Sequence, residues 1–184
     1  MAIREQTSNR SIGDKLILLI ATGFGSGYSP VAPGTAGAII GVGLFLASRL
    51  AERAYGTKYA ALGVCWALIF LGIWASARAA TLFAAKDPRQ IVIDEIAGQF
   101  VALLLTPGLS ESIESGSVKK AVYLSLLCFA FLRLFDIVKP YPIKKLENLK
   151  SGLGVMADDV MAGVYAGVVL HVSWLVSHLY SAYR

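Results

Sequence analysis

Long apolar runs set the first limit on how this chain can fold. Residues 35–48, 59–77, 91–105, 121–135 and 160–179 are each apolar enough to cross or deeply enter a bilayer. A backbone in hydrocarbon must satisfy its hydrogen bonds internally, and for continuous apolar runs that means helices. The composition agrees: 56% of the residues are hydrophobic, 16% are charged, and the mean hydropathy is +0.63. Soluble domains carry about 25% charge. The expectation is an all-α integral membrane bundle of about four to five membrane segments, forming one domain over 1–184, with residues 12–21 as an N-terminal interfacial helix. Several runs fall short of the usual ~20 residues, so the number of crossings is less constrained than the membrane location. No cleaved leader is expected, because residues 16–21 are too short for one and no clean small-residue cleavage site follows. Cys65 and Cys128 sit far apart inside apolar runs, as buried packing residues do.

Acidic residues are costly in such a setting. Asp94, Glu95, Asp136, Asp158 and Asp159 all lie at the edges of apolar runs. On an insertion scale of about 2.5–3.5 kcal/mol per central charge, five fully immersed acids would cost roughly 12–18 kcal/mol. A bound cation is the simplest compensation. With the N-terminus inside, basic residues favour the inner side: Arg4, Arg10, Lys15, Arg78, Lys86, Arg89, Lys139, Lys144, Lys145 and Lys150, against Arg49, Arg53, Lys58, Lys119, Lys120 and Arg184 outside. All five acids then fall on the cytoplasmic side, although they played no part in the count.

The motifs around the acids define the chemistry. Asp94-Glu95-Ile96-Ala97-Gly98 is echoed by Asp159-Val160-Met161-Ala162-Gly163. At each D-x-x-A-G an aspartate shares a helical face with small residues that let another helix approach. Capping of two helix starts explains either copy alone, but not the second acid beside each. In Phe131-Leu132-Arg133-Leu134-Phe135-Asp136-Ile137-Val138-Lys139-Pro140-Tyr141-Pro142, Arg133 and Asp136 can share a face. Proline after Lys139 is expected to push it to extended backbone, ending the helix and aiming the lysine at a phosphate oxygen. The Gly/Pro-rich stretch 23–37 leads into a helix whose start, with Thr35, can meet an anionic headgroup; it has neither the P-loop lysine nor a dinucleotide fingerprint. His171 and His178 share a face of the last helix, far from the acids, and suit packing or an interfacial role.

Carboxylates from three helices with Lys139 and Arg133 beside them suit an oxygen-liganded Mg²⁺ acting on a phosphomonoester. A site embedded at the membrane's inner face implies a lipid substrate. The segments GYSPVAPGTAG, IVIDEIAGQ, FLRLFDIVKPYPI and GLGVMADDVMAG, in this order, resemble the phosphatidylglycerophosphatase A family of bacterial membrane lipid phosphatases. The resemblance implies Mg²⁺-dependent hydrolysis of phosphatidylglycerophosphate to phosphatidylglycerol and phosphate, in phospholipid biosynthesis at the bacterial inner membrane. Carried over by motif, the expected site is Thr35, Asp94, Glu95, Asp136, Lys139, Asp158 and Asp159; from the acids' shared sidedness, the catalytic set is expected to be Asp94, Glu95, Asp136, Asp158 and Asp159, with Asp94, Glu95, Asp136 and Asp159 as metal ligands and Glu95 or Asp158 orienting the water. Thr35, Lys139 and Arg133 would hold phosphate. The expected partners are the lipid substrate and the membrane, with no nucleic acid and no evident protein partner. Two other classes compete. A cation or proton transporter would spread its acids through the membrane depth. A CDP-alcohol phosphotransferase would need a D-G-x-x-A-R block that this chain lacks.

Overall fold

The computed structural model describes residues 10–85 and 88–183, so Arg4, Lys86 and Arg184 of the charge count lie outside it. The described residues are helical and contain no strand. Helix α1 (Ile12–Ala21) starts at Ser11, whose Oγ accepts from the Asp14 N–H at 3.1 Å. It buries Ile17, Leu18 and Ala21 and packs on α3, leaving Ile12, Leu16 and Leu19 exposed. Then come α2 (Pro33–Tyr55), α3 (Ala60–Phe83), α4 (Ile93–Leu104), α5 (Leu109–Glu114), α6 (Val118–Val138), α7 (Ile143–Leu146) and α8 (Gly152–Ala182).

Four of these, α2, α3, α6 and α8, are long and apolar enough to cross a membrane. Of their most apolar stretches, 28% is buried for α2, α3 and α8 and only 11% for α6, so most of that surface faces outward. Trp66, Phe70, Val122, Leu126 and Leu175 are among the large apolar side chains on it. Patches of that extent on a soluble monomer would be an association site; in lipid they meet their own kind.

The apolar run 91–105 has a different fate. As α4 it has 12 residues, about 18 Å at 1.5 Å per residue, and it forms the hub of the bundle. Every residue from Ile93 to Leu103 except Glu95 is buried, against α2, α3, α6 and α8. Small residues permit this. A Cβ on Gly98 would stand 2.6 Å from the Asp159 carbonyl oxygen, and one on Gly163 would strike the Gly98 carbonyl. The D-x-x-A-G echo therefore marks the α4–α8 contact, where the two backbones touch. Phe45 of α2 meets Phe100 of α4 edge-on at 5.6 Å.

Helix ends depart from the sequence expectation for identifiable reasons. α2 continues past Ser48 because its charges are matched: Arg49 pairs with Glu52 and with Glu114 of α5, and Glu52 accepts from the Ala61 N–H at 2.9 Å, capping α3. α8 begins at Gly152, well before Val160, so Asp159 lies within a helix and is no cap. Lys139 is not extended. It takes φ 44° and ψ 59°, its N–H donating to the Phe135 carbonyl at 2.8 Å, so a left-handed cap overrides the preference before proline. Cys65 and Cys128 are buried free thiols, as expected.

Candidate active site

The acids gather at the end of the bundle where α2, α4 and α8 begin and α6 finishes. Asp94 and Glu95 occupy the first turn of α4, where the helix dipole favours negative charge. The Glu95 N–H donates to Asp94 Oδ1 at 3.1 Å, and the Val92 N–H donates to the Ala21 carbonyl at 3.0 Å, tying this helix start to the end of α1. Asp159 enters from α8. One oxygen from each of Asp94, Glu95 and Asp159 can be chosen so that all three lie within 4.8 Å of one another. Asp94 and Asp159 are 9% and 7% exposed, which leaves little water to screen them. Two unit charges at that separation repel by roughly 3 kcal/mol at an effective dielectric of ~20. The trio therefore calls for a cation or for protons, and its oxygen-only donors match a hard divalent ion.

Two cations held in ion pairs flank the trio. Arg133 Nη1 donates to Asp136 Oδ2 at 3.0 Å, so the sequence spacing does place the two on one face. Its Nε and Nη2 are buried without a partner, as is Glu95 Oε2. Both side chains crowd Gly34: a Cβ there would meet the Glu95 carboxylate and, at 2.7 Å, Arg133 Nη2. Lys139 Nζ donates to Asp158 Oδ2 at 3.0 Å and pairs with Glu147 at 3.2 Å. Burial alone would lower its pKa, but the hydrogen bonds and charges of Asp158 and Glu147 outweigh that and hold the ammonium above its ordinary value. It is therefore charged at neutral pH. The turn that carries it is fastened to α8 by the Tyr165 hydroxyl, which donates to the Tyr141 carbonyl at 2.8 Å.

The structure thus sorts the sequence candidates. Asp94, Glu95 and Asp159 form the trio, the two aspartates buried and Glu95 partly so; Asp136 and Asp158 stand beside it, each engaged by a cation. Thr35, in the first turn of α2 next to Gly34, lines a cleft between α2 and α6. His171 and His178 both contact the Trp174 ring far along α8, away from the acids. Sequence reading missed Glu147, for which nothing in its surroundings gives a signal, and Gly34, which sits inside a recognised motif but whose role depends on side chains from α4 and α6.

Helices of crossing length around a largely buried acidic trio that could hold a metal ion, with an arginine and a lysine at its rim, define a helical membrane protein with an acidic site at one end of its bundle. The family model described as PgpA, phosphatidylglycerophosphatase A, matches residues 19–174, which contain every residue named in the site. The chain belongs to this family and is a phosphatase. It is 36% identical over 158 residues to the phosphatidylglycerophosphatase A of Haemophilus influenzae, covering 84% of this chain and 86% of that one. To the Escherichia coli phosphatidylglycerophosphatase A it is 30% identical, covering 83% and 80%. It is also 36% identical over 162 residues to a Bacteroides thetaiotaomicron protein provisionally named a phosphatidylinositol-3-phosphatase, covering 88% and 96%. No solved structure matches the chain.

Proposed function

We propose that the protein is a Mg²⁺-dependent phosphatase that releases the terminal phosphate of phosphatidylglycerophosphate, giving phosphatidylglycerol for phospholipid biosynthesis. The observation that carries this reading is the Asp94–Glu95–Asp159 trio, its aspartates buried, inside the stretch matched by the family. The donor set fits the ion: three carboxylates, hard and anionic, with Glu95 Oε2 buried and unpartnered. Asp94, Glu95 and Asp159 would hold it. When bound, Mg²⁺ supplies Lewis acidity toward a phosphate oxygen and lowers the pKa of a coordinated water.

The remaining side chains act directly on the substrate. Arg133 offers its two unpartnered nitrogens to phosphate oxygens, with Asp136 fixing the guanidinium plane from the other side. Lys139, steered by Asp158 and Glu147, brings a second positive charge to the rim. As the water oxygen bonds to phosphorus and the phosphorus–oxygen bond to the glycerol breaks, a carboxylate oxygen of Glu95 or Asp158 takes the water's proton and the departing glycerol oxygen takes a proton from solvent. In this reading Asp136 and Asp158 orient cations, and Asp136 leaves the ligand set expected from its motif. The site faces the cytoplasm from the inner membrane, in keeping with the basic residues at that end of the bundle. The whole chain acts as one domain.

The Bacteroides relative favours a second reading, in which the phosphomonoester is the 3-phosphate of phosphatidylinositol. Purified protein is incubated with each lipid, with and without Mg²⁺, and released phosphate is measured. Mg²⁺-dependent release from phosphatidylglycerophosphate is expected. Release from the inositol lipid alone transfers the assignment to the second reading, and silence with both lipids removes the phosphatase mechanism in favour of transport.

A further inference from the structure

A cleft of about 570 Å³ runs between α2 and α6, above α5, past Thr35, Val42, Leu46, Ile113, Val122 and Phe129. Among the described residues that line it, the hydroxyl-bearing side chains are Thr35, Ser112 and Ser125, and none is charged. It exists because α2 and α6 each pack on α4 while making at most slight contact with each other. We propose that this cleft seats one acyl chain of the lipid whose phosphate the site removes, an inference that rests on the lipid phosphatase reading above.

Three observations join cleft to site. Thr35, at one end of the cleft, neighbours Gly34, whose missing side chain leaves room for the Glu95 carboxylate and the Arg133 guanidinium. Phe129, in the cleft wall, lies one helical turn before Arg133, and the guanidinium carbon stands 5.7 Å from the centre of its ring. One arginine therefore stands between the end of an apolar channel and the acidic site, with two buried nitrogens that have no hydrogen-bond partner. The length also fits. From Thr35 to Leu46 the helix rises about 16 Å at 1.5 Å per residue, close to half of a ~30 Å hydrocarbon core. That is the depth of one leaflet, so a lipid with its phosphomonoester at Arg133 lays a tail along the cleft. A helix from a second copy of the chain would fill the apolar part and bring no anion to Arg133.

Two measurements test this. Val42→Trp, with Ala121→Trp as a second filling variant, should lower the ratio of kcat/KM for long-chain to short-chain phosphatidylglycerophosphate by about tenfold, the scale on which apolar pockets sort substrates by methylene content. An unchanged ratio in folded variants overturns the proposal. The wild-type protein, without metal, is also irradiated with a phosphomonoester lipid carrying a diazirine midway along one acyl chain. Labelling at Val42, Leu46, Val122 or Leu126 should be competed by unlabelled phosphomonoester lipid but not by diacylglycerol of the same chains, whereas labelling at Trp66 and Phe70 of α3 should resist both. Cleft labelling that resists competition identifies bulk lipid and overturns the seat. The crosslink needs no turnover, so competed labelling from a protein that releases no phosphate would sink the phosphatase reading and leave the lipid seat standing.

Discussion

Exchanging one carboxylate oxygen for an amide nitrogen separates the residues that would hold an ion from those that orient a cation. Asp94→Asn and Asp159→Asn are expected to lower phosphate release by more than about 100-fold, because losing even an outer partner of a metal site costs about 10–100-fold. Asp136→Asn, which leaves the trio intact and loosens Arg133, should fall within that lower range. The stability readout runs the other way. Removing one charge from three closely spaced carboxylates relieves repulsion of roughly 3 kcal/mol per pair, so the two trio variants should melt higher than wild type without metal and gain nothing from Mg²⁺. A lower metal-free Tm for both would contradict the electrostatic account. Lys139→Ala deletes a charge-assisted hydrogen bond worth about 1.5–3 kcal/mol, and kcat/KM should drop by about 10- to 150-fold. A loss confined to KM would mean that the lysine binds ground and transition states alike, and a loss in kcat would mean that it acts on the developing charge.

At the scale of helices, the α4–α8 contact joins stability to the site. Gly98→Ala places a methyl group 2.6 Å from the Asp159 carbonyl oxygen. Overpacking of this kind costs about 1–3 kcal/mol, and the displaced segment is the one that carries Asp159 into the trio. Activity should fall together with Tm. Gly43→Ala, on the exposed side of α2 with open space around it, should instead gain up to about 1 kcal/mol from helix propensity. Equal effects of the two substitutions would show that the close approach does not matter. The membrane helices were legible because continuous apolar runs leave the backbone few options. The start of α8 was not, because Gly152-Leu153-Gly154 reads as loop until Gly152 is seen pressed against the Ile73 carbonyl of α3. Among the acids, the D-x-x-A-G echo and the Arg133–Asp136 spacing are local and could be read directly. The Lys139–Glu147 pair depends on the α6–α7 turn, and the partition of five acids into a trio and two ion pairs depends on how three helices meet.

The bundle as a whole has a site end and an opposite end, the second marked by the Arg49–Glu52–Glu114 cluster. Tyr141 stands exposed at the site end and Tyr55 at the other. In inside-out vesicles, Tyr141→Cys should react with a membrane-impermeant maleimide and Tyr55→Cys should not; right-side-out vesicles should reverse the pattern. The buried native thiols, Cys65 and Cys128, should stay silent in both. Labelling of Tyr141→Cys from outside would invert the proposed orientation. Chelation of divalent ions should abolish turnover, and Mg²⁺ should restore it.

The hub helix has a consequence for how the molecule is made. In twelve residues α4 carries Asp94, Glu95 and Gln99, a load that a lone segment can scarcely bring into lipid when each acid costs about 2.5–3.5 kcal/mol. Its neighbours must already be in place to receive it. Fused alone between reporter domains, residues 91–105 should fail to integrate in a translocon assay, whereas α3 and α6 should integrate by themselves. Biogenesis would then complete the acidic site in the same step that closes the bundle, and a nascent chain halted before that step would have neither.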